Sequence, residues 1–553
     1  MLRLTTRRTS RAARRFAVNA LLLIAVNLFM RTVGVAFNAY LAGRAGGEAM
    51  GLYSLLSGVY GLALTLGCGG INLGTTRLVA DVMGGFCPPG EGRSPADTYE
   101  GAPCRAAIRA VLRRCAGYSL LCGCGAGILL FTAAPVIGRV WLGDVRAIPS
   151  LRALALSLPP VAVCSCLNGY FTAVRRVAKT AAVGIATQFL RIGFCAHLLT
   201  LWLPAGVEMT CLALALGGAL SEIPGLLLTL AAYLWERHRY LAKTSHGTEA
   251  RESRDLPRDL SRDAAPSDTR KLLGITVPVT LSACLRSGLL TLQHILIPKG
   301  LRKSGASWES ALTSYGVLHS MVLPVVLFPS AFISSFSGLL VPEVAESKAR
   351  GDVGRIARLA DRIITPALVF SFGVAGIMAC FGYELGEAIY GSREAGAYIR
   401  LLAPLIPIMY VDSSVDAFLK GMGEQVYSMN VNIIDAATSV LLVWLLLPRM
   451  GLWGYVVAIY VTETLNTTLS LCRMLRMSRM PVSLWRQVFC PLLCATGAAA
   501  ICRMGGILLH LPIQSTPALV GHMALCTAVY LALLALTGGG KNENAKCKMQ
   551  NAK

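Results

Sequence analysis

Charged residues are scarce in this chain of 553 residues. They make up 15% of the sequence, against about 25% in a typical soluble domain, whereas hydrophobic residues make up 54%. The apolar residues fall into runs of about 20, long enough for a helix to cross a bilayer, and not into the alternating short stretches of a membrane barrel. The composition therefore predicts an all-α, polytopic integral membrane protein.

Motifs for nucleotide hydrolysis are also missing. No GxxxxGK[ST] segment occurs, and the single Gly-Lys pair, Gly540-Lys541, lies in a polar tail. Active transport would then draw on an ion gradient or on the membrane potential. The seven histidines do not pair with carboxylates as an acyltransferase requires. A membrane-embedded enzyme of envelope biosynthesis remains the alternative of a different class, and no cofactor is expected.

Cysteine is frequent, but its pattern suits neither disulfides nor metal binding. Of 18 cysteines, most lie within apolar runs, as do Cys122 and Cys124. Two positions apart on a helix, their thiols point about 200° away from each other. We interpret the cysteines as small apolar packing residues in a reduced cell.

The order of apolar runs predicts about 14 transmembrane helices in two six-helix lobes plus two C-terminal helices. The predicted segments are an N-terminal lobe (1–236), a charged cytoplasmic linker (237–270), a C-terminal lobe (271–480), two extra transmembrane helices (481–540) and a polar cytoplasmic tail (541–553).

Basic residues exceed acidic ones, 52 to 29, and the net charge is +23. They concentrate in alternate segments, beginning with an arginine-rich stretch before the first apolar run. This is the positive-inside pattern, which argues against nucleic acid as the partner. It predicts a multi-pass protein of the cytoplasmic membrane with both termini in the cytosol.

A polar stripe occurs twice at one constant sequence offset. Asn27, Arg31 and Asn38 in the first apolar run correspond to the set Ser282, Arg286 and Gln293. At about 100° per residue, each trio lies on one helical face. An arginine at that depth in hydrocarbon should face a protein interior or a wet cavity. The sequence therefore predicts a duplicated protein whose halves each direct a cation towards a shared path.

The second half of each lobe extends this duplication. Aligning Phe171 with Phe418 places Gln188 on Asp435, and both lobes carry an acid in their sixth span. Because each lobe has an even number of spans, the repeats should be parallel and related by an axis along the membrane normal.

Other ionisable residues also lie within predicted spans. Two interpretations remain open: a buried ion pair, or a cavity whose arginines bind an anionic headgroup through bidentate contacts. The acids could pair with the arginines or carry a coupling ion, H⁺ or Na⁺. The residues concerned, besides Arg31 and Arg286, are Arg191, Glu222, Asp412, Asp416, Asp435 and Glu463.

The glycines of the segment Gly67–Gly74 superficially resemble a nucleotide-binding loop. They lie inside a predicted span with no strand before them, and Gly70 and Gly74 are spaced one helical turn apart. This spacing favours close helix packing over phosphate binding.

Four segments of the first two spans carry a family resemblance: RTVGVAFNAYL (31–41), Gly51-Leu-Tyr53, YGLALTL (60–66) and GINLGTTRLVA (70–80). They resemble stage V sporulation protein B-like flippases of oligosaccharides and polysaccharides. These belong to the multidrug/oligosaccharidyl-lipid/polysaccharide exporter superfamily. The match is specific over these spans and loose over nearly the whole chain.

The resemblance implies two six-helix lobes around a V-shaped cavity, alternating access, and transport of a lipid-linked oligosaccharide or peptidoglycan precursor. It also implies substrate-binding arginines, of which Arg31 matches by position and Arg286 only by its lobe. Arg191, Asn27, Asn38 and Gln293 complete the expected substrate site. The drug-exporting branch relies on membrane carboxylates, so a cation-coupled multidrug exporter is the alternative. A monomer is expected.

Overall fold

The structure, a computed structural model, describes residues 2–85, 102–174, 176–244, 265–508 and 516–537. Every regular element in these ranges is a helix, which confirms the predicted all-α class. The predicted tail (541–553) and residues 245–264 of the predicted linker lie outside the described residues. The chain divides into two compact units: unit 1 comprises Met1–Gly47 and Gly300–Lys553, and unit 2 comprises Glu48–Lys299.

Helix α1 (Leu2–Cys68) contains the boundary between the units. Gly46 breaks it with φ 77° and ψ 169°, a conformation that only glycine adopts without strain. Just after the break, Glu48 pairs with Arg146 at 2.9 Å within unit 2. Hydrogen bonds from Arg146 to Asp144 and then to Glu48 raise the pKa of this guanidinium above its usual value.

Unit 2 contains the C-terminal part of α1 and most of α8. Its core joins α2, α3 and α5, and α7 packs on α4, α5 and α6. The bounds are α2 (Ile71–Gly85), α3 (Ala102–Val136), a π-helical turn (Ile137–Leu142), α4 (Ala147–Ala155), α5 (Leu158–Ala173), α6 (Val177–Trp202), α7 (Val207–Thr244) and α8 (Ala265–Lys303).

Unit 1 is organised around α12, which packs on α11, α13, α14, α17 and α18. The bounds are α9 (Trp308–Gly316), a π-helical turn (Val317–Val322), α10 (Leu323–Leu327), α11 (Ser330–Ala349), α12 (Val353–Tyr390), α13 (Arg393–Leu402), α14 (Ile406–Gly421), α15 (Gln425–Met450), α16 (Leu452–Ser478), a π-helical turn (Trp485–Phe489), α17 (Cys490–Leu508) and α18 (Thr516–Leu536).

Eleven helical segments in the described ranges are long and apolar enough to cross a membrane. The first, Leu28–Met83, continues past Gly46 and covers two of the predicted spans. Helices α8 and α16 are long enough to cross a membrane but are not among the eleven. The protein is thus a multi-pass helical membrane protein, and the count of about 14 spans stays a prediction.

The two units share one local arrangement, and the duplication stays a prediction. Phe171 and Phe418, aligned from the sequence, are each buried in the core of their own unit. In unit 2, Arg176 before α6 pairs with Glu236 on α7 at 2.8 Å. In unit 1, Glu424 before α15 pairs with Arg473 on α16 at 2.9 Å. In both units, an ion pair thus joins the residue before one helix to the helix that follows it, and the acidic and basic partners are exchanged between the units.

Helices α17 and α18 attach to unit 1 through α12. Tyr530 on α18 donates a hydrogen bond to the carbonyl oxygen of Val369 at 2.7 Å. Its ring lies so close to Gly373 that an added Cβ would stand 2.7 Å from a ring carbon. Arg486, ahead of α17, pairs with Asp361 at 2.7 Å. The two C-terminal helices are therefore an integral part of unit 1.

Gly70 confirms the prediction of close helix packing. Its φ is 69°, and an added Cβ would lie 2.8 Å from the carbonyl oxygen of Thr276 on α8. Its neighbour Gly69 accepts a hydrogen bond from Thr280 at 2.6 Å. The segment therefore packs backbone against helix and does not form a phosphate loop.

We expect Gly70→Ala to destabilise the protein by about 2 kcal/mol or more. The left-handed conformation alone costs an alanine roughly 1–2 kcal/mol, and the backbone of α8 blocks the added methyl group. Thermal unfolding of the purified protein in detergent measures this. Gly61→Ala is the matched control, since nothing lies within 4 Å of its added Cβ.

Candidate functional site

A polar cluster in unit 2, the Arg191 cluster, comprises Arg191, Tyr53, Glu222, Tyr60 and Ser157. Arg191 on α6 is partly buried, and its Nη2 donates a hydrogen bond to the hydroxyl of Tyr53 at 3.2 Å. Glu222 on α7 interacts electrostatically with Arg191. The cluster thus joins two residues that the sequence singled out to two tyrosines that it did not.

Gly218 on α7 lies beside the guanidinium of Arg191. An added Cβ at this position would lie 3.8 Å from Nε and 3.9 Å from Nη2 of Arg191, which is an ordinary van der Waals distance. Gly218 and Glu222 are four residues apart and therefore share a face of α7. The guanidinium therefore lies beside the face of α7 that carries Glu222.

Tyr60 lies on the same face of α1 as Tyr53, seven residues later. Its hydroxyl is 2.8 Å from the hydroxyl of Ser157. Since Ser157 donates its own proton to the carbonyl oxygen of Leu154 at 2.7 Å, Tyr60 is the donor in this pair. Glu222 also interacts electrostatically with Tyr60. The hydroxyls of Tyr53 and Tyr60 thus place two polar groups on the side of α1 near Arg191.

This geometry suits binding of an anion. A guanidinium has five N–H donors, and the hydrogen bond to Tyr53 is the one that Arg191 makes among the described residues. The hydroxyl of Tyr53 positions the group and leaves its other N–H donors for a ligand. Phosphate and carboxylate oxygens match two adjacent guanidinium N–H groups.

A second cluster, the carboxylate cluster, lies in unit 1 and comprises Asp412, Asp435, Glu463 and Asn466. Asn466 on α16 donates a hydrogen bond to Asp412 on α14 at 3.2 Å. Glu463, one turn before Asn466, interacts electrostatically with Asp412 and with Asp435 on α15. Three carboxyl groups from three helices thus lie within electrostatic range of Glu463 or belong to it.

Asp416 does not join this cluster. Although it is four residues after Asp412, it pairs with Lys420 at 2.6 Å and accepts a hydrogen bond from Ser428. Its charge is therefore already compensated on its own helix.

The N-terminal polar stripe lies in unit 1. Arg31 is partly buried and lies within electrostatic range of Tyr410 on α14, a fully buried residue that donates to the carbonyl oxygen of Val326 at 2.6 Å. Asn38 is also partly buried. The side chain of Asn27 lies outside the described residues.

The second stripe lies on α8 in unit 2. Thr291 donates a hydrogen bond to the carbonyl oxygen of Gly58 at 2.9 Å, and with Thr280 it marks the packed face of α8. Arg286 is roughly 120–140° around the helix from both threonines, and its side chain is exposed. Gln293, on the same stripe, is partly buried. The stripe therefore points away from the helix packing within unit 2.

Sequence reasoning missed four residues of these clusters: Tyr53, Tyr60, Ser157 and Asn466. Tyr53 and Tyr60 lie in segments used only for the family resemblance, and their spacing of seven is the signal that was available. Asn466 follows Glu463 by three residues on one helix face, which is a similar signal.

Comparison with known proteins identifies relatives. No protein-family profile matches the sequence. The chain is 23% identical over 472 residues to stage V sporulation protein B of Bacillus subtilis (strain 168), and the match covers 83% of each chain.

Two solved structures share the fold. One is the inward-facing conformation of a multidrug resistance MATE family transporter of the MOP superfamily, with a TM-score of 0.59 and 15% identity. The match covers 83% of this chain and all of that one. The other is the lipid II flippase MurJ in its inward closed conformation, with a TM-score of 0.59 and 11% identity. That match covers 93% of this chain and 98% of MurJ. The chain is thus a sequence relative of stage V sporulation protein B with the fold of the MOP superfamily transporters.

Proposed function

We propose that this protein is a flippase that moves a lipid-linked oligosaccharide or peptidoglycan precursor across the cytoplasmic membrane by alternating access. The relatives are transporters and a flippase, so the chain is proposed to carry out no chemical reaction. The observation that carries the proposal is the Arg191 cluster, in which a partly buried guanidinium is positioned by the hydroxyl of Tyr53.

Binding of the headgroup follows from this chemistry. A pyrophosphate presents several oxygens, which a guanidinium contacts in pairs. Arg191 would bind the phosphate, and the hydrogen bond to Tyr53 would orient the plane of its guanidinium group. Arg31 and Arg286 would add cationic contacts from the two stripes, and Asn27, Asn38 and Gln293 would hydrogen-bond the headgroup or the sugar.

Release requires the affinity to change during the cycle. An anion beside Arg191 also approaches Glu222, and like charges repel strongly where water is scarce. A proton or Na⁺ beside Glu222 would offset that repulsion. Uptake and loss of this ion would therefore couple the ion gradient to binding and release of the headgroup.

The carboxylate cluster is proposed as a further ion site, formed by Asp412, Asp435 and Glu463. The same cluster favours the second candidate function, a cation-coupled multidrug exporter, because carboxylates also bind cationic drugs. Asp416 is proposed only as a structural ion pair with Lys420.

Reconstitution separates the two functions. Purified protein in liposomes should translocate a fluorescently labelled lipid-linked sugar, and its expression should not raise resistance to cationic dyes. Dye efflux that Asp435→Asn abolishes, without movement of the lipid-linked sugar, would show the exporter instead.

The predicted orientation has its own test. A protease site inserted between Thr244 and Ser267 should be cut only from the cytosolic side, because basic residues concentrate in the segments predicted to be cytoplasmic. Cleavage by external protease in intact cells would contradict both the orientation and the span count.

A further inference from the structure

Unit 1 contains a cavity of about 630 Å³ that neither polar cluster uses. It lies among the C-terminal turns of α12, helix α13 and the N-terminal turns of α16. Its lining is unusually aromatic for a chain with 7% aromatic residues. The residues that characterise it are Tyr383, Tyr398, Trp453, Tyr460, Glu394 and Arg400.

One wall of this cavity is held rigidly. Helices α12 and α13 approach backbone to backbone, since an added Cβ at Gly396 would lie 2.7 Å from Cα of Tyr383. The guanidinium of Arg400 lies over the ring of Tyr383, with Cζ 5.5 Å from its centroid. Close packing of this kind fixes a ring and a charged group at one position.

The opposite wall is tied to the first. Tyr460 on α16 donates a hydrogen bond to the carbonyl oxygen of Leu401 on α13 at 2.7 Å. This bond holds α16 against α13 and turns the ring of Tyr460 towards the cavity that both helices line. Trp453 stands at the first turn of α16 and is 63% exposed, so one side of the cavity is open to the surroundings.

The lining carries charges of both signs, and Arg393 also lies over the ring of Tyr383, with Cζ 5.9 Å from its centroid. Glu394 and Arg400 contribute one charge of each sign, and the hydroxyl of Tyr398 donates to Glu394 at 3.5 Å. A lone phosphate would meet an acid here, and a quaternary ammonium would meet an arginine that already covers the ring of Tyr383. The lining therefore favours a neutral ligand with many hydroxyl groups.

A sugar has the matching chemistry. Its ring presents an apolar face of C–H groups, which packs on an aromatic ring, and an edge of hydroxyls, which bonds to carboxylate, guanidinium and phenol groups. The volume lies within the range of about 300–1,000 Å³ typical of small-molecule sites. It accommodates an oligosaccharide of a few units.

We propose that this cavity binds the sugar portion of the transported lipid, at the outer surface of the membrane. The identity of that sugar as cargo rests on the proposed flippase function. In the predicted orientation, the turns between α12 and α13 and between α15 and α16 face outwards. Tyrosine and tryptophan at these helix ends match the membrane interface, where a headgroup would emerge.

The test measures sugar binding without transport. Full-length protein in detergent is titrated with N-acetylglucosamine, glucose and their β-linked disaccharides, and binding is followed by saturation-transfer NMR. We expect saturable binding of at least one sugar at millimolar concentrations. Trp453→Ala and Tyr398→Ala should each weaken it by about fivefold, because each removes a ring contact.

Matched controls exclude indirect effects. Trp444→Ala removes a tryptophan from α15 that does not line the cavity and should leave binding unchanged. Tyr398→Phe keeps the ring and should weaken binding less than Tyr398→Ala. Absence of binding by the whole panel overturns the proposal. So does binding that Trp453→Ala and Tyr398→Ala leave intact, or a site that takes inorganic pyrophosphate or phosphatidylglycerol in place of sugar.

The two proposals fail in different ways. If the protein flips a lipid-linked sugar but binds no sugar in this cavity, only the proposal for the cavity is wrong. If it binds sugar in a way that depends on Trp453 but moves no lipid-linked sugar in liposomes, only the proposed flippase function is wrong.

Discussion

Arg191→Ala should lower the translocation of a lipid-linked sugar in proteoliposomes at least tenfold. A hydrogen-bonded charged contact contributes about 1.5–3 kcal/mol, and about 1.4 kcal/mol corresponds to a tenfold change in affinity. Arg191→Lys should restore only part of the activity, since lysine keeps the charge but not the planar fork. Initial translocation rates at several lipid concentrations measure the effect. Arg139→Ala, an exposed arginine in the same unit, is the matched control.

Tyr53→Phe refines this experiment. It removes the one hydrogen bond that orients Arg191 among the described residues and leaves every charge in place. We expect a smaller loss than for Arg191→Ala, because the guanidinium that would contact the substrate remains and only the hydrogen bond that positions it is removed. A loss equal to that of Arg191→Ala would mean that Tyr53 contacts the substrate itself.

A purely structural role for Arg191 gives a different pattern. If the arginine only neutralises Glu222, then Arg191→Ala should lower the amount of protein in the membrane. Adding Glu222→Gln should then restore both abundance and transport. A stable double variant with full activity would remove Arg191 from the headgroup site.

The stripe arginines should behave in the same way. Arg31→Ala and Arg286→Ala should each abolish complementation of a strain that lacks the protein, with membrane insertion intact, and lysine should rescue only partly. Arg286 is the more decisive test. Because its side chain is exposed, its removal creates no cavity in the core, and the amount of protein in the membrane is the control for folding.

Glu463→Gln should uncouple transport from the ion gradient. The substitution keeps the shape of the side chain and removes one of three converging carboxyl groups, so the cluster no longer attracts a compensating cation as strongly. We expect at least a tenfold loss of transport driven by an imposed pH or Na⁺ gradient, while binding of the lipid-linked sugar stays within about twofold. Transport with and without each gradient, beside equilibrium binding, measures both quantities.

Asp416→Asn is the control for this series, because the Asp416 carboxylate is already paired with Lys420. It should leave gradient-driven transport unchanged. Asp412→Asn should resemble Glu463→Gln, although the hydrogen bond from Asn466 will be weakened as well. Gradient dependence that survives in both Glu463→Gln and Asp412→Asn would exclude the carboxylate cluster as the coupling site.

Local and periodic features of this protein could be predicted from sequence. Run lengths and helical spacing identified the all-helical class, the packing role of Gly70 and the alignment of Phe171 with Phe418. Each depends on residues within one helix or on a repeat of the same pattern. The ion pair of Asp416 with Lys420 could also have been predicted, because the two residues are four positions apart on one helix.

Contacts between distant segments could not be predicted in this way. Arg191 meets Tyr53 across 138 residues, and the convergence of Asp412, Asp435 and Glu463 depends on how α14, α15 and α16 pack. Helical periodicity gives the direction of a side chain on its own helix but not the helix that it faces. For the same reason, the sequence did not predict that Tyr53 and Tyr60, two tyrosines in an apolar run of α1, belong to a polar cluster.

The membership of the first helix has a consequence for biosynthesis. Unit 1 is built from both ends of the chain, since Met1–Gly47 groups with residues from Gly300 onwards. At roughly 5–20 residues per second, the ribosome needs on the order of 10–50 s to make the intervening segment 48–299. Throughout that interval the first helix, which carries Arg31, lies in the bilayer without the helices of unit 1 on which it later packs. We therefore expect a chaperone or insertase to bind the nascent protein mainly at this early stage. Slowing elongation after residue 47 should increase degradation of the nascent protein.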